Sequence, residues 1–335
     1  MKYTIGIPTY NGEKYLNQAV ESALAQDYSE PFEILAVNNA SEDRTPEILA
    51  GYADRVRIET NPETVPMAAN FNRMFELARG EYVNILNDDD LLEPGFLSRM
   101  DRAMRDRRDV GLACCGFRTI DAAGRATSAS SRLLTEGLYT PLEALEILAD
   151  HGHIVATNAS LCHRASFLEV GGFQGGLVQF DLILQMRLLL RTGRGLLFLP
   201  EILALVRGHD ESGGRAFFRS HKVVEEGLEV HKVIAAEIPN TPEGRKLRRR
   251  LLRKSAKRLY KYAPIIKATT GHEELNRYLK AIREGRPETF RDPFFLAVIA
   301  FSWLAPPRLV RAALARLNEP GVSKLISVDH AEPAQ

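Results

Sequence analysis

The stretch GEYVNILNDDDLLEPGFL, residues 80–97, decides how the rest of the chain is read. Its first half, Glu81 to Leu86, has the apolar content of a short buried strand, and Pro94 marks a helix start just beyond. Between the two stand three adjacent carboxylates, Asp88, Asp89 and Asp90, flanked by Leu86 and by Leu91 and Leu92. Capping the next helix needs one aspartate, and three like charges near a core repel one another. A divalent cation is the other common reason for such a cluster. A hard ion such as Mg²⁺ or Mn²⁺ takes oxygen ligands, usually one or two carboxylates together with substrate phosphates.

Outward from that stretch, strands alternate with helices. TIGIP (Thr4 to Pro8), FEILAV (Phe32 to Val37) and VRIET (Val56 to Thr60) read as buried strands. Asn11 is placed to cap a helix whose apolar positions are Tyr15, Leu16, Ala19, Val20, Ala23 and Leu24. Ser41 or Asp43 is placed to cap the next, and a third helix runs from Ala68 to Ala78, closed by Gly80. This alternation implies an α/β fold: a mostly parallel sheet with helices on both faces. Ligands of such sheets bind beyond the carboxyl ends of the strands. PTYN, NNAS and NDDD all fall at that edge, by strand order alone.

Beyond Glu93 the pattern loosens. Val110 to Phe117 and Ala156 to Arg164 read as strands, IDAAG as a hairpin turn, Leu142 to Leu148 as a helix and VGGF (Val170 to Phe173) as a turn. Asp181 to Arg191 forms an amphipathic helix, followed by the extended run LLFLPEILALVRGH. A boundary near Gly213 and Gly214 separates residues 1–213 from a helical, basic C-terminal region, 214–335, whose last dozen residues read as disordered.

The 335 residues carry a net charge of +1, so no global field points to nucleic acid or to a membrane. Three cysteines without CxxC spacing imply no metal or disulfide framework and suit a reducing cytosol. The N-terminus lacks the apolar core of a signal peptide, so a cytoplasmic location is expected. The longest apolar run, Phe294 to Ala305, falls short of the ~20 residues that span a bilayer. It is either a buried helix or one lying in the membrane interface. With the basic segment Arg245 to Tyr262, it raises peripheral contact with the cytoplasmic membrane face.

An ordered set of motifs resembles the inverting family 2 glycosyltransferases: IPTYNGEKYLNQAVESALAQ, EILAVNNASEDRT, GEYVNILNDDDLLEPGFL, VGGF and RGH, spread over residues 3 to 212. The resemblance implies a GT-A fold, with residues 1–92 as the nucleotide-binding half and 93–213 as the acceptor half. It implies Mn²⁺- or Mg²⁺-dependent transfer of a sugar from a nucleotide-sugar to a saccharide or lipid-linked saccharide, as in surface polysaccharide or glycolipid assembly.

By the same resemblance, Pro8 and Tyr10 match the base-contacting stretch, and Tyr10 stacking would contribute ~1–3 kcal/mol. Asn38 and Asn39 stand where the family often has two aspartates, with Asn39 assigned to the nucleotide. Asn70 matches a frequent family asparagine, while Ala69 replaces a frequent arginine. In the acidic motif Asn87 or Asp88 would face the ribose, Asp88 being assigned to the donor, and Asp89 would bind the metal; the other register uses Asp88 and Asp90. Asp181 is the catalytic base, preceded by Phe180 where the family usually has Glu. Arg207 would pair with a phosphate, and His209 would complete the metal shell or contact the diphosphate. A nucleotidyltransferase would need a Gly-rich loop after the first strand, and PTYNGEKY offers only Gly12. The departures at Asn39, Ala69 and Phe180 keep a catalytically silent binding or scaffold protein as the alternative.

Overall fold

The computed structural model describes residues 1–127, 134–151, 156–177, 179–208, 222–258, 263–264, 266–267, 271–285, 291, 293–306 and 308–310. The chain forms two compact units, residues 1–148 with 153–208, and residues 149–152 with 209–335. The expected boundary at Gly213 and Gly214 lies outside the described residues, as does the C-terminal tail.

The first unit is built on a mixed, nine-stranded sheet. Strands β1 (Tyr3–Thr9), β2 (Glu33–Asn38), β3 (Arg57–Thr60) and β4 (Tyr82–Ile85) run parallel in the order β3-β2-β1-β4. Beyond β4 the order continues β8 (Ser160–His163), β6 (Val110–Ile120), β9 (Gly195–Arg207) and β5 (Leu91–Leu92). β8 is antiparallel to both its neighbours, and β6 and β9 are parallel. The short β7 (Gly137–Tyr139) pairs antiparallel with β9.

Both faces are covered, as near-continuous apolar parallel strands require. Helices α1 (Leu16–Leu24), α2 (Thr45–Ala50) and α4 (Phe96–Met104) bury Leu16, Val20, Leu49, Phe96 and Met100 against Tyr3, Ile5 and Ile7 of β1. The alternate residue Gly6 faces the other way, where a Cβ would fall on the Met74 side chain of α3 (Met67–Leu77). After α5 (Pro141–His151) in the chain, α6 (Arg164–Glu169) packs on α3 and α7 (Phe180–Thr192) packs on α6; Phe75 of α3 and Asp181, Leu184, Gln185 and Leu188 of α7 line the candidate site.

One stretch differs from the strand expected of it, and the extended run that forms β9 carries a bulge. Ala156 to Arg164 splits into a 3₁₀ turn (Thr157–Ala159), β8, and the start of α6. The buried Asn84 side chain of β4 donates to Asn158 O at 2.8 Å and Ser160 O at 2.7 Å, which fixes the turn, and His163 Nδ1 accepts the Ser166 N–H as a cap. β9 carries Pro200 in its middle. The pairing steps from Cys115–Leu199 to Gly116–Ile202, so Pro200 and Glu201 bulge out of the ladder. A side chain at Gly116 would meet their carbonyls.

The second unit is helical: α8 (Lys222–Glu237), α9 (Pro242–Arg258), α10 (His272–Gly285) and α11 (Pro293–Leu304). Ile266, Leu275, Tyr278, Ile282 and Phe295 form a core there. Lys254 and Arg250 of the basic helix both hold Asp150, at 2.5 and 2.6 Å, and keep its carboxyl below the usual range. No helix among the described residues is long and apolar enough to cross a membrane.

Candidate active site

The loops after β1 and β2 are knitted together. Asn11 N–H donates to Ser41 Oγ at 3.0 Å, Glu42 N–H to Asn11 Oδ1 at 3.0 Å, and Gly12 N–H to Thr45 Oγ1 at 2.9 Å. Asn11 was expected to cap α1, yet that helix starts at Leu16 with Tyr15 at its cap, and the Asn11 amide braces the neighbouring loop instead. Asp43 accepts the Thr45 N–H at the start of α2. Asn11 (φ 50°) and Ala40 (φ 54°) hold left-handed backbone without being glycine, a local cost of ~1–2 kcal/mol each that the cross-loop bonds offset.

At this edge Pro8 is buried, with its missing N–H lying past the last β1–β4 pair, Gly6–Ile85. Tyr10 is half exposed rather than packed on the sheet end. Asn39 and Asn70 are buried, joined through Asn61: Asn61 Nδ2 donates to Asn39 Oδ1 at 2.7 Å and to Asn70 Oδ1 at 2.9 Å. Asn39 also receives the Val65 N–H and donates to Val65 O. The amide that was expected to meet a nucleobase thus has its hydrogen bonds inside the protein here, shaping the wall through the 61–65 turn.

The acidic stretch forms a turn closed by Asp90 N–H donating to Asn87 O at 3.1 Å. Its three carboxylates are treated differently. Asp88 Oδ2 accepts from the Thr9 hydroxyl at 2.5 Å and the Tyr10 N–H at 3.3 Å, so it faces the β1 loop. Burial, and secondarily the Asp89 charge, push its carboxyl up to about 6 against the opposing pull of the Thr9 hydroxyl. A Cβ at Gly12 would fall on Asp88 Oδ2 and Thr9 Oγ1, so this close approach needs glycine. Asp90 is buried, with Oδ1 on the Arg207 N–H at 2.7 Å and Oδ2 on Asn87 Nδ2 at 2.9 Å. Burial and the Asp89 charge raise its carboxyl too. Both its oxygens are engaged within the protein, which makes Asp90 a brace of this turn. Asp89 is half-buried between them.

Arg207, at the end of β9, was expected to meet a phosphate. It is buried, and its guanidinium donates to Asp89 O at 2.7 Å, Asp121 O and Ala122 O at 3.2 Å, and Gln18 Oε1 at 2.9 Å. It also stacks over the Tyr15 ring at 4.5 Å. These bonds make it a clamp under the acidic turn. His209 lies outside the described residues.

Asp181 opens the first turn of α7. Oδ1 accepts the Leu182 N–H at 2.8 Å and Oδ2 the Thr157 hydroxyl at 3.2 Å. Burial raises its carboxyl above the ordinary value. Asp181 and Thr157 line a cavity of about 20 Å³ with Phe75, Val83, Ile85 and Phe173, room for about one water. Beside it, Phe180 meets Phe71 and Phe173 edge-on, with centroids 6.1 and 5.1 Å away. Asn72 brackets Phe173, accepting its N–H and donating to its carbonyl. Sequence reasoning did not single out Phe71, Asn72 and Phe173; the signal for the last was the VGGF turn, whose Gly171 and Gly172 have φ of 85° and 63°.

Topology brings the two acidic positions to one edge. β8 runs antiparallel to β4 with Leu161 opposite Asn84, so Thr157 comes in beside the carboxyl end of β4, where the acidic turn leaves. Thr157 holds Asp181, and Thr9 and Tyr10 hold Asp88.

The chain is similar to known proteins in sequence and in fold. The model of the family described as Glycosyl transferase family 2 matches residues 4–170. An uncharacterized glycosyltransferase of Rickettsia typhi is 34% identical over 120 residues, 35% of this chain and 37% of that protein. The match thus spans little more than a third of the length of that relative. Among solved structures, S. aureus TarS 1-349 in complex with UDP-GlcNAc superposes with a TM-score of 0.67 at 18% identity, over 98% of this chain and 91% of that one. The mannosyltransferase PcManGT from Pyrobaculum calidifontis, in complex with GDP-Man and Mn²⁺, gives 0.55 at 17% identity, over 90% and 87%. At these identities the likeness is one of fold. The chain belongs to glycosyl transferase family 2 through residues 4–170, and the unit that carries them has the GT-A fold.

Proposed function

We propose that the protein moves a sugar from a nucleotide-sugar donor to the hydroxyl of a saccharide acceptor, free or lipid-linked, with inversion at the anomeric carbon. The observation that carries this reading is the gathering of Tyr10, the Asp88–Asp89 pair and Asp181 on one sheet edge, with the first two hydrogen-bonded to each other. The half-exposed Tyr10 ring takes the base, residues 1–92 take the nucleotide, and the Phe71, Phe173 and Phe180 corner borders the acceptor. That the solved neighbours hold nucleotide-sugars, one of them with Mn²⁺, supports the donor class.

Among the described residues no three His, Cys, Asp or Glu side chains converge on one point to hold a metal ion. The donor set fits an open metal site. Asp88 and Asp89 offer hard oxygen ligands, the remainder coming from a diphosphate. Burial makes the Asp88 charge unfavourable until a cation relieves it. A Mn²⁺ or Mg²⁺ ion bound there would neutralise charge on the departing nucleoside diphosphate. Asp181 does the remaining work. It removes the proton from the acceptor hydroxyl as that oxygen bonds to the anomeric carbon and the bond to the phosphate oxygen breaks. Its raised carboxyl is a stronger base than an exposed aspartate, which suits this step near neutral pH.

Donor turnover tests the reading. The chain, offered a panel of nucleotide-sugars with Mn²⁺, is expected to release nucleoside diphosphate slowly even without acceptor, and Asp89→Ala to abolish the release. Absence of release with every donor, alongside retained donor binding, would instead identify a silent binding protein of the same fold.

A further inference from the structure

Helix α11 has no polar side to turn to water. Phe295 is fully buried, and so is Ser302, whose hydroxyl donates to Val298 O at 2.7 Å. The opposite side carries Leu296, Ala297, Ala300, Phe301, Trp303 and Leu304, all exposed. At 100° per residue these six positions cover an arc of about 160°. On an ordinary surface helix that arc is charged or polar. Here Phe301 is 44%, Trp303 50% and Leu304 74% exposed, and the patch continues to Leu309 at 59%. Trp303 leans edge-on against His272 at 5.6 Å, and the exposed Arg308 follows the helix.

Charge is segregated along the chain in the same sense. Residues 209–335 carry 24 Lys and Arg against 15 Asp and Glu, whereas residues 1–208 carry 20 against 28. The near-neutral total hides a basic C-terminal part that holds the apolar face.

We propose that the Leu296, Phe301, Trp303, Leu304 and Leu309 face seats in the headgroup region of an anionic lipid bilayer. The helix has 12 residues; at ~1.5 Å rise each it is about 18 Å long, too short for a hydrocarbon core of about 30 Å. It therefore lies along the surface. An apolar face with a Trp at its end and an Arg beside it is the composition that partitions into that layer. The basic excess of residues 209–335 adds attraction to anionic headgroups and opposes pairing with a second copy bearing the same charge. This binding is independent of the catalytic reading and stands or falls separately.

The chain contains one tryptophan, Trp303, so tryptophan emission, excited selectively over the tyrosines, reports on this helix alone. The full-length protein is titrated with vesicles of phosphatidylcholine containing phosphatidylglycerol, and with phosphatidylcholine alone. The expected result is a blue shift with the anionic vesicles, quenched by acyl-brominated lipid and weakened by high salt. The double variant Phe301→Glu, Leu304→Glu keeps Trp303 and changes two exposed side chains; its unfolding midpoint is expected to hold while vesicle partitioning falls about tenfold or more. The proposal is overturned by an unshifted spectrum with anionic vesicles, or by a folded double variant that partitions like its parent. A blue shift that grows with protein concentration in the absence of lipid overturns it as well, because the occupant is then a second copy.

Discussion

The acidic turn and the start of α7 present carboxylates in opposite ways. Asp88 and Asp90 are gripped by a hydroxyl, an asparagine amide and backbone N–H groups drawn from the β1 loop and β9. Asp181 has one backbone N–H and one threonine hydroxyl, and its neighbours are aromatic. Burial raises all three carboxyls, and at Asp88 and Asp90 the Asp89 charge adds to it. On the proposed reading the acidic turn meets a cation and Asp181 a proton, and substitutions can separate the two ends.

The largest effect is expected at Asp181. Asp181→Asn keeps the shape and both contacts' geometry but removes the proton acceptor, so transfer should fall ~10²–10⁴-fold. Donor affinity and the unfolding midpoint should hold. Because burial raises this carboxyl, the parent's rate should decline, as pH falls, at a pH above that of an ordinary aspartate. A variant within tenfold of the parent would place the base elsewhere and break the comparison.

Arg207 sharpens the other side. Arg207→Met leaves the carbonyls of Asp89, Asp121 and Ala122 and the Gln18 amide oxygen without their donor. Buried unpaired groups cost ~1–3 kcal/mol each, though water re-entry reduces the sum, and a loss of about 2–4 kcal/mol by urea unfolding is expected. If the arginine acts as a clamp, nucleoside diphosphate affinity measured under folding conditions changes little. A large affinity loss with unchanged stability would return it to the phosphate.

Much of the sheet's parallel half was legible in the residue pattern, because buried parallel strands and their helices write a local period. The four strands from Tyr3 to Ile85 and the polar strand ends follow from it. What the pattern does not carry is which distant group a polar side chain reaches. Arg207 finds its partners 189, 118 and 86 residues away, at Gln18, Asp89 and Asp121. Asn72 reaches Phe173 across 101 residues and so assembles the aromatic corner. Asn39 has a polar side chain at a strand end, yet the Asn61 amide that engages it lies on another strand end. β5 is two residues long and β7 three, below any periodicity, though β5 is what brings the acidic turn against β9.

The smallest effect tests whether the aromatic setting of Asp181 matters at all. Phe180→Glu installs the Glu-Asp pair that the family resemblance leads one to expect. A second negative charge next to Asp181 disfavours its ionised form, so its carboxyl rises further and the acid limb of the rate profile should move to higher pH. Losing the edge contacts to Phe71 and Phe173 should also lower stability, by ~0.5–1.5 kcal/mol per pair. Phe180→Leu separates the two consequences, because it removes the ring contacts without adding charge. It should reproduce the stability loss and leave the acid limb in place. If both variants move the limb equally, the pH response comes from altered burial of Asp181 rather than from the added charge. If neither moves it, Asp181 does not titrate in the rate-limiting step, and the contrast between the two ends of the edge is structural rather than catalytic.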